Sequence, residues 1–383
     1  MSTPPISGNR RLPGLDGLRG VACLMVFLYH LRWAAQPNDA NPLPLMIRSF
    51  DVEFLLRKFD IGVAIFFVLS GLLLSLPFWR AILENQPLPA IGRYLWRRGC
   101  RIVPAYFAVL IAVYLLRGGT YTWYGALDFL LHATFLHNFA DYAYLSLHPD
   151  LWTIGIEFQF YLLLPIIMKL VAVTHRRCGG IFTLGVLVSA CLLADIAAAA
   201  ALRMLEPAIS DRFLSPNGPV IGGTVFSYLK LFAFGIAAAY AVLKVRISPR
   251  AADVTCGVGL LATATLVLFG HEAGWRQSGG FGWPLNGAIL GLVAASLARS
   301  SMFSRLFATK WIAATGAISY GIYLWHDLVL RAVFSGTLRD NLSGFPIFLA
   351  GGGIALLVTI TIASLSWRFI ERDAIRAPYP LVR

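Results

Sequence analysis

Long apolar segments recur along the whole chain and limit its fold more than any other feature of the sequence. Each segment is roughly 17 to 25 residues long, which is enough for an α-helix to cross a bilayer. A β-barrel would instead show shorter stretches in which apolar and polar residues alternate. We therefore predict an all-α polytopic membrane protein with about ten transmembrane helices around a central pore. The predicted spans are residues 18–34, 60–79, 102–117, 151–173, 181–202, 220–243, 254–270, 284–298, 312–333 and 346–369.

The composition excludes an ordinary soluble protein of this length. Of the 383 residues, 58% are hydrophobic and only 13% are charged, and the mean hydropathy is +0.70. A net charge of +13 would suggest nucleic-acid binding in a soluble protein, but here no long basic tract stands apart from the apolar segments. We attribute the basic excess to membrane topology, to contact with lipids and to an anionic ligand on one face, and we expect no nucleic-acid partner.

The distribution of Lys and Arg predicts the orientation of the chain. With the N-terminus in the cytoplasm, most of the 32 Lys and Arg residues fall in connections on that same side, as the positive-inside rule requires. An even number of spans then places both termini in the cytoplasm. The first apolar run lacks a small-residue cleavage site, so it is read as a retained anchor. The sequence predicts one membrane domain over residues 1–383, with a core of about 10–373.

One predicted span carries two polar groups on one face. Arg19 and His30 are eleven residues apart, which on an α-helix is about three turns and about 16 Å. Ionisable groups inside a bilayer usually face a cavity or a partner rather than lipid, so the pair indicates a functional face. The alternative is that Arg19 anchors the helix at the interface and that His30 is a hydrogen-bonded packing residue.

Three titratable residues from three predicted spans share one depth. By residue count, His30, Glu157 and His326 lie about 6 to 12 Å from the outer ends of their spans. A carboxylate near an imidazole stabilises its protonated form and fixes its tautomer, as a general base acting on a hydroxyl requires. We therefore predict that His30 and Glu157 are catalytic. The alternatives are that Glu157 pairs with an arginine or with Tyr161 as a packing contact, and that His326 is structural.

The basic stretch before the third span faces the opposite side. Arg98 and Arg101 are three residues apart on one helix face, and with Arg19 and Arg97 they can form a cytoplasmic guanidinium cluster. Guanidinium groups suit phosphate oxygens, so the cluster predicts a phosphate-bearing ligand that enters from the cytoplasm. Topology and anionic lipids alone would also place a basic loop there.

Signatures of several other enzyme classes are absent. The chain has no P-loop, no HExxH, no CxxC pair and no GxSxG elbow, so a nucleotide hydrolase, a zinc protease and a serine hydrolase find no support. We expect no metal.

The outer connection, residues 118–150, is amphipathic and aromatic, which suggests an interfacial or re-entrant helix over a cavity mouth. Trp123, Tyr124 and Trp152 either stack on a sugar or form part of an interfacial aromatic belt.

Together these stretches resemble the acyltransferase-3 family of integral membrane O-acyltransferases over nearly the whole chain. The first span resembles the family's motif of Arg, ten residues and His, with Arg19 and His30 in place. The stretch that contains Arg98 and Arg101 resembles its Arg-x-x-Arg-Ile-x-Pro motif. The matching stretches, in order, are LDGLRGVACLMVFLYH, FFVLSG, RRGCRIVPAYF, LWTIGIEFQFYLLLP, ISYGIYLWH and FIERD. Thr153 and Gly155 depart from the family's pattern, as do Asp327 and residues 371–373.

The resemblance implies transfer of an acyl group, often acetyl, from cytoplasmic acyl-CoA to a hydroxyl of a glycan, a glycolipid or a glycosylated metabolite. It places Arg19, Arg98 and Arg101 at the CoA phosphates and Trp152, Tyr161 and His326 near the substrates. His30 would be the general base, oriented by Glu157, or would carry the acyl group itself. We expect a bacterial cytoplasmic (inner) membrane location, and no appended soluble esterase-like domain.

A proton-coupled transporter or permease is the alternative class, because it would also place His and Glu inside membrane spans. Inverted-repeat transporters show paired halves and matched broken helices, and neither pattern is visible in this sequence. We therefore favour the enzyme.

Overall fold

The computed structural model describes residues 12–35, 46–47, 50–116, 123–209, 223–269, 284–335 and 345–379. Most of these residues are helical, and two short strands, Met46–Ile47 and Phe50–Asp51, pair antiparallel. The α-helices are α1 Pro13–Ala34, α2 Val52–Leu56, α3 Ile61–Leu83, α4 Ile91–Leu116, α5 Trp123–Ala133, α6 Asp141–Tyr144, α7 Leu151–Cys178, α8 Gly180–Ile209, α9 Val225–Lys244, α10 Pro249–Phe269, α11 Pro284–Leu297, α12 Met302–Phe307, α13 Lys310–Ala317, α14 Ser319–Val333, α15 Phe345–Ser366 and α16 Arg372–Arg376. A 3₁₀ turn covers His137–Phe139, and a π-helical turn covers Trp367–Glu371.

Within the described ranges, eight helical segments are long and apolar enough to cross a membrane. The chain is therefore an all-α, integral multi-pass membrane protein, as the sequence predicts. The eight segments coincide with eight of the ten predicted spans. The other two predicted spans, 284–298 and 312–333, correspond to the 14-residue α11 and to α13 followed by the 15-residue α14. Each of these helices alone is shorter than a perpendicular crossing needs.

The predicted span 312–333 is divided where α13 ends and α14 begins. The Ser319 hydroxyl donates to the carbonyl of Gly316 at 2.9 Å, and the Cys23 thiol donates to the carbonyl of Ser319 at 3.3 Å. A Cβ at Gly316 would collide with the carbonyl oxygen of Asp16. The break lets α13 cross the start of α1 at close range while α14 packs along the same helix.

Helix α3 lies at the centre of the bundle. The span that contains it is 78% buried within the protein, whereas the spans of α8 and α10 are each 17% buried. It packs most closely against α9, where a Cβ at Gly71 would collide with the carbonyl of Phe232 and one at Gly235 with that of Val68. Small residues at such positions let helix backbones approach each other inside a membrane. The outer helices α8 and α10 therefore present most of their surface to lipid.

Candidate active site

A cavity of about 490 Å³ lies between α1, α3, α4, α7 and α14. Its wall includes Arg19 of α1 and Arg98 and Arg101 of α4, which the sequence predicts to form one cluster. It also includes Arg80 of α3, one turn after Pro77. Arg80 was not among the site residues predicted from the sequence. The signal available in the sequence was its position at the inner end of the FFVLSG helix, on the same side as the other three arginines.

The cavity carries more positive than negative charge. Four guanidinium groups line it, and the carboxylates on its wall are Asp16 and Glu157. Asp16 accepts a hydrogen bond from Arg19 at 3.2 Å. The Nε atoms of Arg80 and Arg98 are buried and have no hydrogen-bond partner among the described residues. Buried donors without acceptors are costly, so this end of the cavity is suited to an anion that supplies several oxygens.

Arg97 does not join this cluster in the structure. It lies on the exposed side of α4 and is not part of the cavity wall, because residues 97 and 98 of one helix point about 100° apart. Arg97 thus serves as an internal comparison for the arginines that do line the cavity.

Glu157 lies in the same cavity, with partners other than His30. Its Oε1 accepts hydrogen bonds from the hydroxyl of Ser70 at 2.6 Å and from the hydroxyl of Tyr161 at 2.8 Å. The expectation that Glu157 orients His30 therefore differs from the structure, in which Asp150 contacts His30. The physical reason is depth, since Glu157 is seven residues, or about 10 Å of helix rise, further along α7 than Asp150.

His30, Asp150 and His326 form a second polar cluster. Asp150 Oδ1 lies 3.0 Å from His30 Nε2, and its Oδ2 lies 3.2 Å from His326 Nε2. The two imidazoles also contact each other, with His30 Nδ1 3.0 Å from His326 Nε2. The structure thus brings together His30 and His326, both predicted site residues. It adds Asp150, which sequence reasoning missed although it directly precedes the predicted fourth span at the outer side, near the depth of His30.

The cluster is almost closed to solvent. The side chains of Asp150 and His326 are 3% and 1% exposed, while that of His30 is 23% exposed and is the most accessible of the three. Burial by itself raises the pKa of Asp150, but the neighbouring His30 and His326 lower it more, so the pKa of Asp150 is below its ordinary value and this carboxylate is ionised near neutral pH.

Two histidines and a carboxylate are also a common ligand set for zinc. Their candidate ligand atoms lie within 4.8 Å of one another. However, His326 Nε2 is at hydrogen-bond distance from His30 Nδ1, and a metal would have to break that contact. The geometry therefore favours a hydrogen-bonded cluster, and the absence of a metal remains a prediction.

A polar wall separates the arginine-lined cavity from the histidine cluster. The cavity wall includes Thr153 and Tyr323 but not His30 or Asp150. The hydroxyls of Thr153 and Tyr323 are 2.6 Å apart, and each donates to the backbone carbonyl of Asp150, at 3.1 Å and 3.2 Å. This pair therefore lies at the boundary between the cavity and the cluster and contacts both.

Trp152 and the residues that precede α7 have a structural role in this arrangement. The described part of the predicted outer connection, residues 123–150, is called the outer segment below. Trp152 packs against the tilted aromatic rings of Tyr144 and Tyr228, with ring centroids 6.0 and 5.5 Å away, and it is not part of the cavity wall. The Asn138 amide donates to the carbonyl of Trp152 at 2.8 Å and to that of Gly223 at 2.7 Å. The side chains of Trp123 and Tyr124 lie outside the part of the chain that the structure describes. Contact of these aromatic residues with a sugar remains a prediction.

Two further histidines of the outer segment pack as a pair. The rings of His132 and His137 stack with their centroids 4.2 Å apart, and both side chains are buried. Burial, with His132 alongside, lowers the pKa of His137 to about 3, so its ring is neutral. These residues help to hold the segment over the start of α7, where Asp150 lies.

Comparison with known proteins identifies the family of the chain. The chain belongs to the acyltransferase-3 family, whose profile, described as an acyltransferase domain, matches residues 12–364. The O-acetyltransferase OatA of Staphylococcus aureus strain NCTC 8325 is 25% identical to it over 384 residues, a match that covers 94% of this chain and 57% of OatA. OatA of strain COL gives the same values. The chain thus spans a little over half the length of these relatives. No solved structure matches it.

Proposed function

We propose that the protein is a membrane O-acyltransferase that moves an acyl group, acetyl in the first instance, from acyl-CoA to a hydroxyl of a carbohydrate-containing acceptor. The observation that carries this proposal is the arginine-lined cavity, in which four guanidinium groups outnumber the two carboxylates of the wall. Membership of an acyltransferase family and similarity to proteins named O-acetyltransferase support the reaction class. The proposed setting is a bacterial cytoplasmic membrane, with the arginines on its cytoplasmic side.

The donor would bind with its phosphates at the arginines. CoA carries a diphosphate and a 3′-phosphate, and these groups would supply acceptor oxygens for the Nε atoms of Arg80 and Arg98, which have no partner among the described residues. Bidentate contacts between guanidinium and phosphate are among the stronger polar interactions in proteins. From Arg19 to His30 the first helix rises about 16 Å, which is of the order of the length of CoA's pantetheine arm. The thioester would then lie near the Thr153–Tyr323 wall.

The acceptor would approach from the side of His30, the most exposed member of the cluster. In the proposed reaction neutral His30 removes the hydroxyl proton, and the oxygen attacks the thioester carbon. The carbon–sulfur bond then breaks, and CoA leaves as a thiolate that is protonated afterwards. The second route left open by the sequence passes through an acyl group on His30 itself. Glu157, bonded to Ser70 and Tyr161, would lie beside the bound donor rather than beside the base.

Measurement of acetyl transfer tests the proposed function. Membranes that contain the protein would be supplied with radiolabelled acetyl-CoA, and label in envelope glycans and secreted glycosides would be identified by mass spectrometry. We expect labelled ester in the wild type and a loss of at least a hundredfold in His30→Gln, at equal amounts of inserted protein. Substrate uptake into vesicles without any acetyl transfer would instead favour the transporter class.

The arginines are tested by their effect on the donor. Arg98→Ala combined with Arg101→Ala should raise the apparent KM for acetyl-CoA about tenfold or more, because each lost charge-assisted hydrogen bond is worth about 1.5 to 3 kcal/mol. Arg97→Ala is the matched control, since this arginine lies on the same helix outside the cavity wall. Equal KM values for the two variants would show that the cluster serves topology only.

A further inference from the structure

Asp150 contacts both histidines of the cluster and is itself buried. We propose that Asp150, with His326 in support, is a positioning residue that orients the His30 ring and stabilises its protonated form. The inference rests on the proposed function, in which His30 accepts the proton of the acceptor hydroxyl. In this role Asp150 takes the place of Glu157, the carboxylate that was predicted from the sequence to orient His30.

The backbone fixes one proton on each imidazole. His30 Nδ1 lies 3.1 Å from the carbonyl oxygen of Val26, and His326 Nδ1 lies 2.7 Å from that of Tyr323. Since a carbonyl oxygen only accepts, these contacts assign a hydrogen to both Nδ1 atoms. In the neutral rings both Nε2 atoms therefore carry lone pairs, and both lie against the carboxylate of Asp150.

A lone pair beside a carboxylate oxygen is unfavourable until a proton lies between them. A proton on His30 Nε2 turns its 3.0 Å contact with Asp150 Oδ1 into a charge-assisted hydrogen bond. His326 Nε2, 3.0 Å from His30 Nδ1, then shares the single Nδ1 hydrogen with the carbonyl of Val26. Every polar atom of protonated His30 has a partner in this arrangement. The geometry is therefore complementary to the state that His30 reaches after it removes a proton.

In the proposed reaction the proton of the acceptor hydroxyl passes through His30 to the leaving group. The acceptor hydroxyl donates to Nε2 of neutral His30, its O–H bond breaks, and a new N–H bond forms, which Asp150 Oδ1, 3.0 Å from Nε2, stabilises as the hydroxyl oxygen leaves for the thioester carbon. The hydroxyl oxygen forms the ester bond as the carbon–sulfur bond breaks, and the proton on His30 passes to the departing CoA thiolate. Asp150 acts through His30 and touches neither substrate.

The backbone of Asp150 is held from two sides, which fixes the direction of its carboxylate. Its N–H donates to His148 Nδ1 at 3.3 Å, and its carbonyl accepts from the hydroxyls of Thr153 and Tyr323. Asp327, the nearest other carboxylate, is paired with Arg331 at 2.7 Å. The titratable and charged groups that face the cluster are Tyr29, His148, Tyr323, Asp327 and Arg331. Among the described carboxylates that act on His30, Asp150 is the one in hydrogen-bond contact with it.

The test compares Asp150→Asn with the wild type in the acetyl-transfer assay. We expect kcat to fall by about 10²- to 10⁴-fold, while the KM for acetyl-CoA changes by less than about twofold because the arginines are untouched. The acidic limb of the kcat–pH profile should move to lower pH, since His30 loses the carboxylate that stabilises its protonated form. Asp150→Glu should recover part of kcat, and His326→Gln should lower it less than Asp150→Asn does.

Asp128→Asn is the matched control. Asp128 lies 3.2 Å from the buried His132, so this variant removes the carboxylate of a second Asp–His pair away from the cavity. It should leave the pH profile in place even if it lowers the amount of folded protein. If Asp150→Asn keeps the wild-type pH profile and loses activity only in proportion to folded protein, Asp150 is structural and the inference is wrong.

A spectroscopic measurement separates this inference from the proposed function. Nitrogen-15 NMR of labelled histidine, in protein reconstituted in lipid, reports the tautomer and charge of each ring without any substrate. Asp150→Asn should change the signals that His30→Gln removes, and Asp128→Asn should not. An unchanged His30 signal overturns the role of Asp150 whatever reaction the protein catalyses, whereas absence of acetyl transfer in the wild type overturns the proposed function alone.

Discussion

At the scale of single residues, close contacts explain why a residue departs from the motifs of the family. Gly155 departs from the resemblance to the family, and the structure gives a reason. A Cβ at this position would collide with Asn138 Oδ1 and lie 3.0 Å from the ring of His137. Asn138 in turn holds the backbone of Trp152. The glycine therefore lets the outer segment settle on the start of α7, beside Asp150.

Gly155→Ala should consequently destabilise the protein. We expect a loss of about 1 to 3 kcal/mol, because the added methyl group displaces the buried, hydrogen-bonded side chain of Asn138. Thermal unfolding in detergent would measure it as a lower Tm. Gly185→Ala in α8 is the matched control, since nothing lies within 4 Å of the added Cβ and alanine favours the helix. Equal melting temperatures for the two variants would contradict this account of Gly155.

At the scale of elements, α7 and α14 meet at the wall between the cavity and the histidine cluster. Thr153 extends from α7 and Tyr323 from α14, and the Tyr323 ring also lies 5.9 Å from that of Phe66 on α3. Three helices thus converge where the acyl end of a bound donor would lie. The wall limits how much space an acyl group has there.

Tyr323→Ala should therefore widen the range of acyl groups that the protein accepts. Removal of the ring extends the cavity, so the ratio of kcat/KM for butyryl-CoA to that for acetyl-CoA should rise by about tenfold, the size of effect expected for one or two methylene groups in an apolar pocket. Tyr323→Phe keeps the ring and is the control. A ratio that stays the same in both variants would mean that this wall does not select the acyl group.

At the scale of the whole molecule, the predicted orientation follows from the distribution of Lys and Arg and still needs a direct measurement. Cys178, at the end of α7, is exposed, and the connection it begins is predicted to be cytoplasmic. A membrane-impermeant maleimide should label it only after the membrane is permeabilised. Leu145→Cys, at an exposed position of the outer segment, should be labelled in intact cells. The opposite pattern would invert the topology.

Much of the architecture could be predicted because membrane insertion is governed by local properties. A long apolar run must form a helix in lipid, where each backbone polar group needs an internal partner, so eight predicted spans correspond to helices of sufficient length. The break between α13 and α14 could not be predicted, since it depends on the approach of Gly316 to α1. The length of α11 could not be predicted either, because the apolar run suggested a full crossing and the helix has only 14 residues.

The candidate site divides in the same way. Sequence alone determined which polar residues lie inside apolar helices and on which face of a helix they lie, and this was enough to select Arg19, His30, Arg98, Arg101, Glu157 and His326. Only the tertiary structure decided the partners, because contacts between residues far apart in sequence depend on how helices cross. It paired His30 with Asp150 and His326, placed Glu157 against Ser70 and Tyr161, and added Arg80 to the cavity wall. About 10 Å of helix rise along α7 separates Glu157 from Asp150, and helix packing rather than the amino-acid pattern sets which of them reaches the imidazole.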